Sequence, residues 1–221
     1  MIRSRLLLLA WLPLFSGCQS LFWNQTSPEP VTERLQGELR LENGKILMQT
    51  CQGQRQVELL DAGDTGLPDD VKALSAGAGQ PLFADVRGRL TSPTKGIQQL
   101  QLVRLYRLQR EGSGCQAGGD NRAMLQAAGH EPDWSVRITP QGLLLEGPAR
   151  SPLAVPYVEE QMPGGQSSFS SEANNQRLDL WVAPQRCVDS TTGAISHLTA
   201  ELRLNDQTLR GCAYRRGSPG E

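Results

Sequence analysis

Apolar and polar residues alternate strictly over residues 35–42 of this chain. In residues 35–42 every second position is Leu or Gly, and the positions between them are polar. A period of two residues predicts a β-strand with one buried face. Asn43-Gly44 follows directly and is typical of a two-residue hairpin turn, so residues 45–50 are expected to return as a second strand.

Three further strands are predicted in the first half of the chain. The segments that carry apolar residues at alternate positions are 54–61, 82–90 and 97–108. In the last of them the apolar parity changes between Leu102 and Val103, as a β-bulge would cause. Pro68-Asp69-Asp70 is expected to begin a short helix, because Pro and acidic residues favour the first helical turn.

Five strands with a helix between the third and the fourth follow the order of an OB-type barrel, which we predict over residues 34–110. Residues 111–128 are predicted to be a Gly-rich linker followed by a short helix over 121–128, with Asp120 as its N-cap. A second small antiparallel β domain is expected at 129–221, with strands at 135–139, 142–146, 153–159, 177–182, 198–204 and 208–213. The predicted fold class is therefore mainly all-β.

The charge balance bears on the class of partner. Of the 221 residues, 22 are Lys or Arg and 23 are Asp or Glu, so the formal net charge is −1. Proteins that bind nucleic acid through phosphate contacts are usually strongly basic. The strands of the OB-type half contain only Phe83 and Tyr106 as aromatic residues that could stack on bases. We therefore expect no nucleic-acid partner.

The amino-terminal segment has the pattern of a secretory signal peptide, predicted over residues 1–17. Arg3 and Arg5 precede a stretch of about ten apolar residues, which is too short to span a membrane as a helix. The stretch ends in Leu14-Phe15-Ser16-Gly17-Cys18, which resembles the lipobox of bacterial lipoproteins. The resemblance implies transfer of a diacylglyceryl group to the Cys18 thiol, cleavage before it, and acylation of the new amino terminus.

The residues after Cys18 bear on where the lipid would place the protein. Residues 18–33 are rich in polar residues and Pro, and they are expected to form a lipidated tether. Gln19 stands where Asp typically retains such lipoproteins in the inner membrane. We therefore expect the protein on the periplasmic side of the outer membrane, held there by its lipid.

Four further cysteines are expected to form two disulfides in the oxidising periplasm. They allow three connectivities, of which the sequence order and the domain division favour Cys51–Cys115 and Cys187–Cys212. A metal site is the alternative, but the chain lacks a CxxC pair. Its two histidines, His130 and His197, also stand far apart in sequence. No metal or other cofactor is expected.

Residues 35–108 resemble the OB-type domain of the NlpE family of outer-membrane lipoproteins. The residues that carry the resemblance are Cys51-Gln-Gly53-Gln-Arg55-Gln-Val57, Pro81-Leu82 and Val86-Arg-Gly88-Arg89. The resemblance implies an OB-type barrel in an envelope lipoprotein. The CxxC of the amino-terminal NlpE domain is missing here, so copper sensing is not implied.

Residues 129–213 resemble a family of uncharacterised bacterial envelope proteins with three recurring features. These are a G-x-E-P-x-W motif, a C-x-D followed by a small-residue-Gly turn, and a terminal G-C. In this chain they are Gly129/Glu131/Pro132/Trp134, Cys187/Asp189/Thr192/Gly193 and Gly211-Cys212. Ser196-His197 stands where an aromatic residue and Pro are usual, which puts a ligand of that turn in doubt. The resemblance implies no activity.

Two groups of polar residues could carry chemistry, namely His130 with Glu131 and Asp133, and Asp189 with Ser190 and His197. A serine hydrolase of the G-x-S-x-G type needs its Ser on a strained turn, and that motif is missing around Ser190. Asp189, Ser190 and Thr192 are therefore expected to bond the backbone of their own turn. Glu131 and Asp133 could pair as general acid and base, but flanking the start of a strand is the interpretation we favour. We expect no catalytic residues.

The remaining candidates are contacts to a ligand or a partner. Trp181 lies on the strand face opposite Leu178 and Leu180, so it is either exposed for binding or packed under a loop. Trp134 is either a core residue or a contact. The candidate ligand contacts are Glu131, Trp134, Trp181 and Asp189.

The expected function is non-catalytic. The sequence favours an outer-membrane lipoprotein that binds an envelope protein, a cell-wall fragment or a small ligand. Two alternatives stay open, which are an inhibitor of lysozyme-type hydrolases and an envelope-stress sensor similar to NlpE.

Overall fold

The computed structural model describes residues 31–61, 65–76, 81–91, 96–112, 114–116, 123–147 and 150–217. The predicted signal peptide, Cys18 and nearly all of the predicted tether lie outside these residues. The described residues of the first half form five strands and one helix, which are β1 (Glu33–Glu42), β2 (Lys45–Thr50), β3 (Gln56–Asp61), α1 (Leu67–Ser75), β4 (Leu82–Thr91) and β5 (Gln98–Gln109). A single 3-10 turn follows at Gly114–Gln116.

The first five strands form a closed barrel. Their order is β3-β2-β1-β4-β5, and a parallel pairing between β3 and β5 closes the cylinder. The alternating apolar residues point inward and make one core, whose largest fully buried members include Leu39, Met48, Leu100, Leu102 and Leu108. Helix α1 adds its own apolar side chains Leu67, Val71 and Leu74 to this core. The predicted OB-like barrel is confirmed.

The hairpin turn and the bulge that the sequence predicts are both present. Asn43 and Gly44 both have positive φ, as a turn of the primed type requires. In β5 the register against β4 moves from Arg104 to Leu102, so Val103 has no cross-strand partner and its side chain is exposed. A second shift passes over Tyr106. These bulges let β5 bend around the barrel.

The described residues of the second half of the chain form nine strands. They are β6 (Leu125–His130), β7 (Asp133–Thr139), β8 (Gly142–Gly147), β9 (Arg150–Val155), β10 (Val158–Gln161), β11 (Ser167–Ala173), β12 (Gln176–Val188), β13 (Ile195–Leu204) and β14 (Gln207–Arg215), with a short 3-10 segment at Pro163–Gly165. Every pairing among them is antiparallel, in the orders β13-β14-β6-β7-β8-β9 and β10-β11-β12-β13. This half has a second core, which includes Trp134, Ile138, Phe169, Leu180 and Leu202.

The two halves share one continuous sheet. The first residues of β13, Ile195 and Ser196, pair with Leu108 and Arg107 at the end of β5. The side chain of Ile195 packs in the barrel core, whereas that of Leu198, three residues later in the same strand, packs in the second core. Strand β13 therefore links the two cores directly.

The predicted helix over residues 121–128 is wrong where the structure describes it. Residues Leu125–His130 form the strand β6, which lies between β14 and β7 in the sheet. Leu125, Ala127 and Gly129 are buried while the residues between them are more exposed, so the segment has the period of a strand. A sheet on both sides of the segment outweighs the intrinsic helical preference of Leu, Gln and Ala.

The strand bounds also differ in one region of the second half. The predicted strand at 153–159 is interrupted at Pro156, and its two parts belong to the separate edge strands β9 and β10. Strand β11 was not predicted from the sequence, because Phe169 is its only large apolar residue. Its serines Ser167, Ser168 and Ser171 are nevertheless buried.

Both predicted disulfide pairings are confirmed. Cys51, just after β2, is bonded to Cys115 in the 3-10 turn, and Cys187 in β12 is bonded to Cys212 in β14. The Cys51–Cys115 disulfide therefore links the barrel to the segment that follows β5. The Cys187–Cys212 disulfide links β12 and β14, the two strands on either side of β13. Within the described ranges, no helix has the length and apolar character needed to cross a membrane.

Candidate functional site

Trp181 lies on the outer face of the second sheet. It is in β12, between the buried residues Leu180 and Val182, and its side chain is 39% exposed. The predicted placement of Trp181 on the face opposite Leu178 and Leu180 is confirmed. An indole that is exposed on a regular strand is held by its neighbours yet open to a ligand, because the strand fixes its direction.

A groove with a volume of about 470 Å³ surrounds this indole. We call it the Trp181 groove, and besides Trp181 its lining includes the polar side chains of Gln166, Gln185, Thr199, Glu201 and Arg210. A β-bulge in β12 contributes to the lining. Between Pro184 and Cys187 the register against β13 shifts, which places Gln185 at the groove and directs Arg186 toward α1.

The charges in the groove are held in register across three strands. Trp181 is opposite Glu201 in β13, and Glu201 is opposite Arg210 in β14. The Glu201 carboxylate accepts a hydrogen bond of 3.0 Å from Arg203 Nε, and Arg210 Nε lies 3.6 Å from its other oxygen. Two guanidinium groups therefore face one carboxylate, so the groove combines an aromatic surface with donors and a small excess of positive charge.

The structure brings the two predicted polar groups together at His130. Its Nδ1 lies 2.9 Å from Asp133 Oδ1, and its Nε2 lies 3.1 Å from Asp189 Oδ2. An imidazole can donate to two carboxylates only when both nitrogens carry protons. Residue His130 therefore joins the end of the β6–β7 hairpin to the turn between β12 and β13. This contact could not be predicted from the sequence, because the two residues are far apart in the chain and only the strand order brings them together.

Asp189 bonds the backbone of its own turn, as expected. Its Oδ1 accepts hydrogen bonds from the amides of Thr191 and Thr192, at 3.1 and 2.7 Å, and from the Thr192 hydroxyl at 2.8 Å. Burial acts to raise the pKa of Asp189, but the bonds from Thr192 and Thr191 and the charge of His130 outweigh it, so the pKa is lowered. This carboxylate is therefore held as an anion that closes the turn.

The candidate hydrolase residues are not arranged for nucleophilic attack. Ser190 is exposed, and its hydroxyl has no hydrogen bond to any residue that the structure describes, so the predicted bond from Ser190 to the backbone of its turn is wrong. His197 instead lies against the barrel, where its Nδ1 is 3.0 Å from the Tyr106 carbonyl oxygen and its ring packs edge-on against the Tyr106 ring. Burial lowers the pKa of His197 to about 4. The pair has neither the contact nor the orientation of a nucleophile and its base.

The two remaining candidate contacts have different surroundings. Trp134 is only 5% exposed and lies in the second core, where it is the cross-strand partner of Gly129. Glu131 is exposed in the turn between β6 and β7. Among the residues with described positions, no group of three or more His, Cys, Asp or Glu side chains is placed to hold a metal ion.

A row of arginines on the outside of the barrel was not predicted from the sequence. Arg34, Arg87 and Arg104 are direct cross-strand partners in β1, β4 and β5. Each stands at a polar position of its strand, so the alternation already indicates an outward direction. The strand register brings them together, and the bulge at Val103 sets that register for Arg104.

Comparison of the chain with the models of known protein families, with curated proteins and with solved structures finds no match. The resemblances drawn from the residues therefore stay predictions.

Proposed function

We propose that this chain is a lipid-anchored, non-catalytic protein on the periplasmic side of the bacterial outer membrane. It binds a cell-wall fragment at the Trp181 groove. The observation that carries the binding function is the exposed indole of Trp181 in register with the Glu201 and Arg210 side chains. Lipid on Cys18 would hold this groove close to the membrane surface.

The proposed location is supported by the order of features at the amino terminus. A basic segment, an apolar stretch and the lipobox-like Leu14–Cys18 follow one another as in bacterial lipoproteins. The two disulfides fit an oxidising compartment, because such bonds are rare in the reducing cytosol. A lipid group with two or more acyl chains gives stable anchoring, whereas one chain binds reversibly.

The proposed ligand class is supported by the chemistry of the groove. A sugar ring presents an apolar face of C–H bonds and a rim of hydroxyl groups. The flat indole of Trp181 can cover the first, while Gln166, Gln185 and Thr199 offer donors and acceptors to the second. Cell-wall glycans carry short peptides with free carboxylates, which the excess guanidinium charge of Arg203 and Arg210 would attract.

The binding function is tested with the full chain in neutral detergent, titrated calorimetrically with disaccharide–peptide units released from peptidoglycan. We expect the wild-type protein to bind and Trp181→Ala to lose at least tenfold in affinity. Leu41→Ala is the matched control, because Leu41 is a comparably exposed apolar residue in β1 that does not line the groove. Equal affinities of the wild-type and Trp181→Ala proteins would refute the groove as the binding site.

The anchor is tested by mass spectrometry of the protein extracted from its native membranes. We expect a chain that begins at Cys18 and carries the mass of a diacylglyceryl group and an additional acyl chain. Cys18→Ala should abolish the modification and release the protein from the outer-membrane fraction. An unmodified polypeptide that begins at Met1 would contradict the lipoprotein assignment.

The two alternatives predict different results. An inhibitor of lysozyme-type hydrolases would slow the cleavage of peptidoglycan at stoichiometric amounts, whereas a binding protein would not act on the enzyme itself. A stress sensor similar to NlpE would change the output of an envelope-stress reporter in Cys18→Ala or Cys51→Ser cells. We expect no inhibition of the enzyme and no change in the reporter.

A further inference from the structure

The three arginines in register on the barrel surface lie directly opposite one another. Arg34 in β1 is the partner of Arg87 in β4, and Arg87 is the partner of Arg104 in β5. Like charges at opposite positions of neighbouring strands destabilise a sheet. A row of three therefore costs stability unless counter-charge is supplied.

Among the residues that the structure describes, Asp85 brings a carboxylate to this surface. Asp85 accepts hydrogen bonds of 2.7 and 2.8 Å from Arg34 and a further bond of 2.7 Å from the Gln36 amide. Arg34 also donates to the Arg215 carbonyl oxygen at 2.7 Å, and its guanidinium lies 3.8 Å above the centre of the Tyr106 ring. The negative charge of Asp85 is therefore paired directly with the guanidinium group of Arg34.

The other two members of the row lack such partners. Neither Arg87 nor Arg104 has a side-chain hydrogen bond or ion pair with any residue whose position the structure describes. The Nε atom of Arg87 is buried without a hydrogen-bond partner among those residues. Both guanidinium groups lie 5.9 Å from the centre of the Tyr106 ring, and the Arg104 side chain is exposed. An anion could therefore approach from solvent.

A neighbouring arginine adds to the positive charge. Arg107, the partner of Asp85 across the β4–β5 pair, lies over the Tyr214 ring at 3.9 Å, and burial lowers the pKa of its guanidinium. The charges of Arg34 and Arg104 also act to lower the pKa of His197, after the larger effect of burial. Among the described residues, the region thus includes the guanidinium groups of Arg34, Arg87, Arg104 and Arg107, the Asp85 carboxylate and an imidazole that burial keeps neutral, and the charge of Arg216 also acts on Arg107.

We propose that the row Arg34–Arg87–Arg104 is a binding site for a phosphate-bearing ligand, in which Arg87 and Arg104 donate to the phosphate oxygens. The planar guanidinium group matches two phosphate oxygens at once, which makes Arg the preferred residue for this anion. Arg34, held by Asp85, contributes charge from a fixed position. The phosphate group is shared by soluble phosphorylated compounds and by the headgroups of anionic phospholipids, so the test separates these sources.

The first test is a titration of the full chain in neutral detergent with inorganic pyrophosphate at constant ionic strength. We expect saturable binding, a loss of at least tenfold in affinity for Arg104→Gln and Arg87→Gln, and no change for Arg40→Gln. Arg40 is a matched control, because it is exposed on β1 outside the row. Binding to Trp181→Ala should equal that of the wild type, which separates this site from the Trp181 groove.

The source of the phosphate is distinguished with short-chain phosphatidylglycerol and short-chain phosphatidylcholine, titrated under the same conditions. Competition of phosphatidylglycerol with pyrophosphate supports the site and includes lipid headgroups among its ligands. Binding of pyrophosphate alone supports the site for soluble phosphates, and binding of phosphatidylglycerol alone supports it for headgroups. If neither binds, or if Arg87→Gln and Arg104→Gln bind as the wild type does, the proposal is overturned.

A second measurement uses the thermal stability of the protein without any phosphate. Without phosphate, we expect Arg104→Gln to raise the melting temperature, because it removes a like charge opposite Arg87. Pyrophosphate should raise the melting temperature of the wild type further, and this rise should be absent in Arg104→Gln. Salt should stabilise the wild type more than Arg104→Gln, since screening relieves the repulsion. A lower melting temperature for Arg104→Gln together with an unchanged pyrophosphate response would contradict the site.

Discussion

Arg34 in β1 and Asp85 in β4 form a doubly hydrogen-bonded ion pair, with N–O distances of 2.7 and 2.8 Å and side chains only 6% and 3% exposed. The removal of one partner leaves a buried charge without its counter-charge. We therefore expect Asp85→Asn to lower the free energy of unfolding by about 3 kcal/mol or more, measured by urea denaturation.

The matched control for this prediction is a surface pair formed by Glu33, the neighbour of Arg34 in β1, and Arg55, which directly precedes β3. Arg55 and Glu33 are 2.8 Å apart, with side chains 44% and 36% exposed. Exposed pairs of this kind contribute less than about 1 kcal/mol, so Arg55→Gln should change stability little. Similar losses for Asp85→Asn and Arg55→Gln would show that burial does not set the strength of the Arg34–Asp85 pair.

His197 should make the folded state sensitive to acid. Burial lowers the pKa of His197 to about 4, against 6.5 in an unfolded chain. Between these values the unfolded state binds the proton and the folded state does not, so stability falls as the pH falls. From pH 6.5 to pH 5 this amounts to about 1.5 kcal/mol, because the slope approaches 1.4 kcal/mol for each pH unit only once the unfolded His is mostly protonated.

The pH dependence of urea denaturation checks this assignment. His197→Gln should flatten the profile between pH 4 and 6.5, while its amide can still donate to the Tyr106 carbonyl. The groups around His197 that carry charge are Arg34, Asp85 and Arg104, and none of them changes in this variant. His130→Gln should keep the slope that His197 causes. An unchanged slope in His197→Gln would assign the acid sensitivity to other groups.

The two disulfides should contribute unequally, because they close loops of different length. Their cysteines are 64 and 25 residues apart in sequence. The loop-entropy relation then gives about 4 kcal/mol for Cys51–Cys115 and about 3.5 kcal/mol for Cys187–Cys212. We expect the double variant Cys51→Ser/Cys115→Ser to lose more stability than Cys187→Ser/Cys212→Ser. The reverse order would show that the closure of the longer loop is not the main effect.

Gly193 tests the contact between the β12–β13 turn and helix α1. Its φ is +69°, and a Cβ atom there would lie 3.2 Å from Leu74 Cδ2. Gly44 has φ +77° with open space around it, so it carries the backbone strain alone. We expect Gly44→Ala to cost about 1 kcal/mol and Gly193→Ala about 2 kcal/mol in thermal denaturation. Equal costs would mean that the turn does not pack tightly on Leu74.

Local patterns predicted much of this fold, and the failures have a common cause. The alternation at 35–42, the turn at Asn43-Gly44 and the outward direction of Trp181 are set within one strand, so the sequence alone reveals them. The false helix at 121–128 arose because Leu125–Ala128 has helical propensity, while its strand form depends on β14 and β7 on either side.

Contacts between strands that are distant in sequence could not be predicted from local sequence patterns. The contact of His130 with Asp189 joins residues 59 positions apart, and the arginine row needs the register of three strands together with the bulge at Val103. The disulfides were predicted because covalent pairing reduces the alternatives to three connectivities. Noncovalent polar contacts have no comparable restriction.

The most direct test of the proposed function is photo-crosslinking from the Trp181 groove in intact cells. Gln185, which lines the groove, is replaced by p-benzoylphenylalanine, and Arg40 is replaced in the same way as a control. The proposed function predicts an adduct at position 185 that muramidase digestion trims and that is lost when Trp181→Ala is added. The absence of an adduct, the same adduct from position 40, or an adduct that holds a second polypeptide and resists muramidase would contradict binding of a cell-wall fragment.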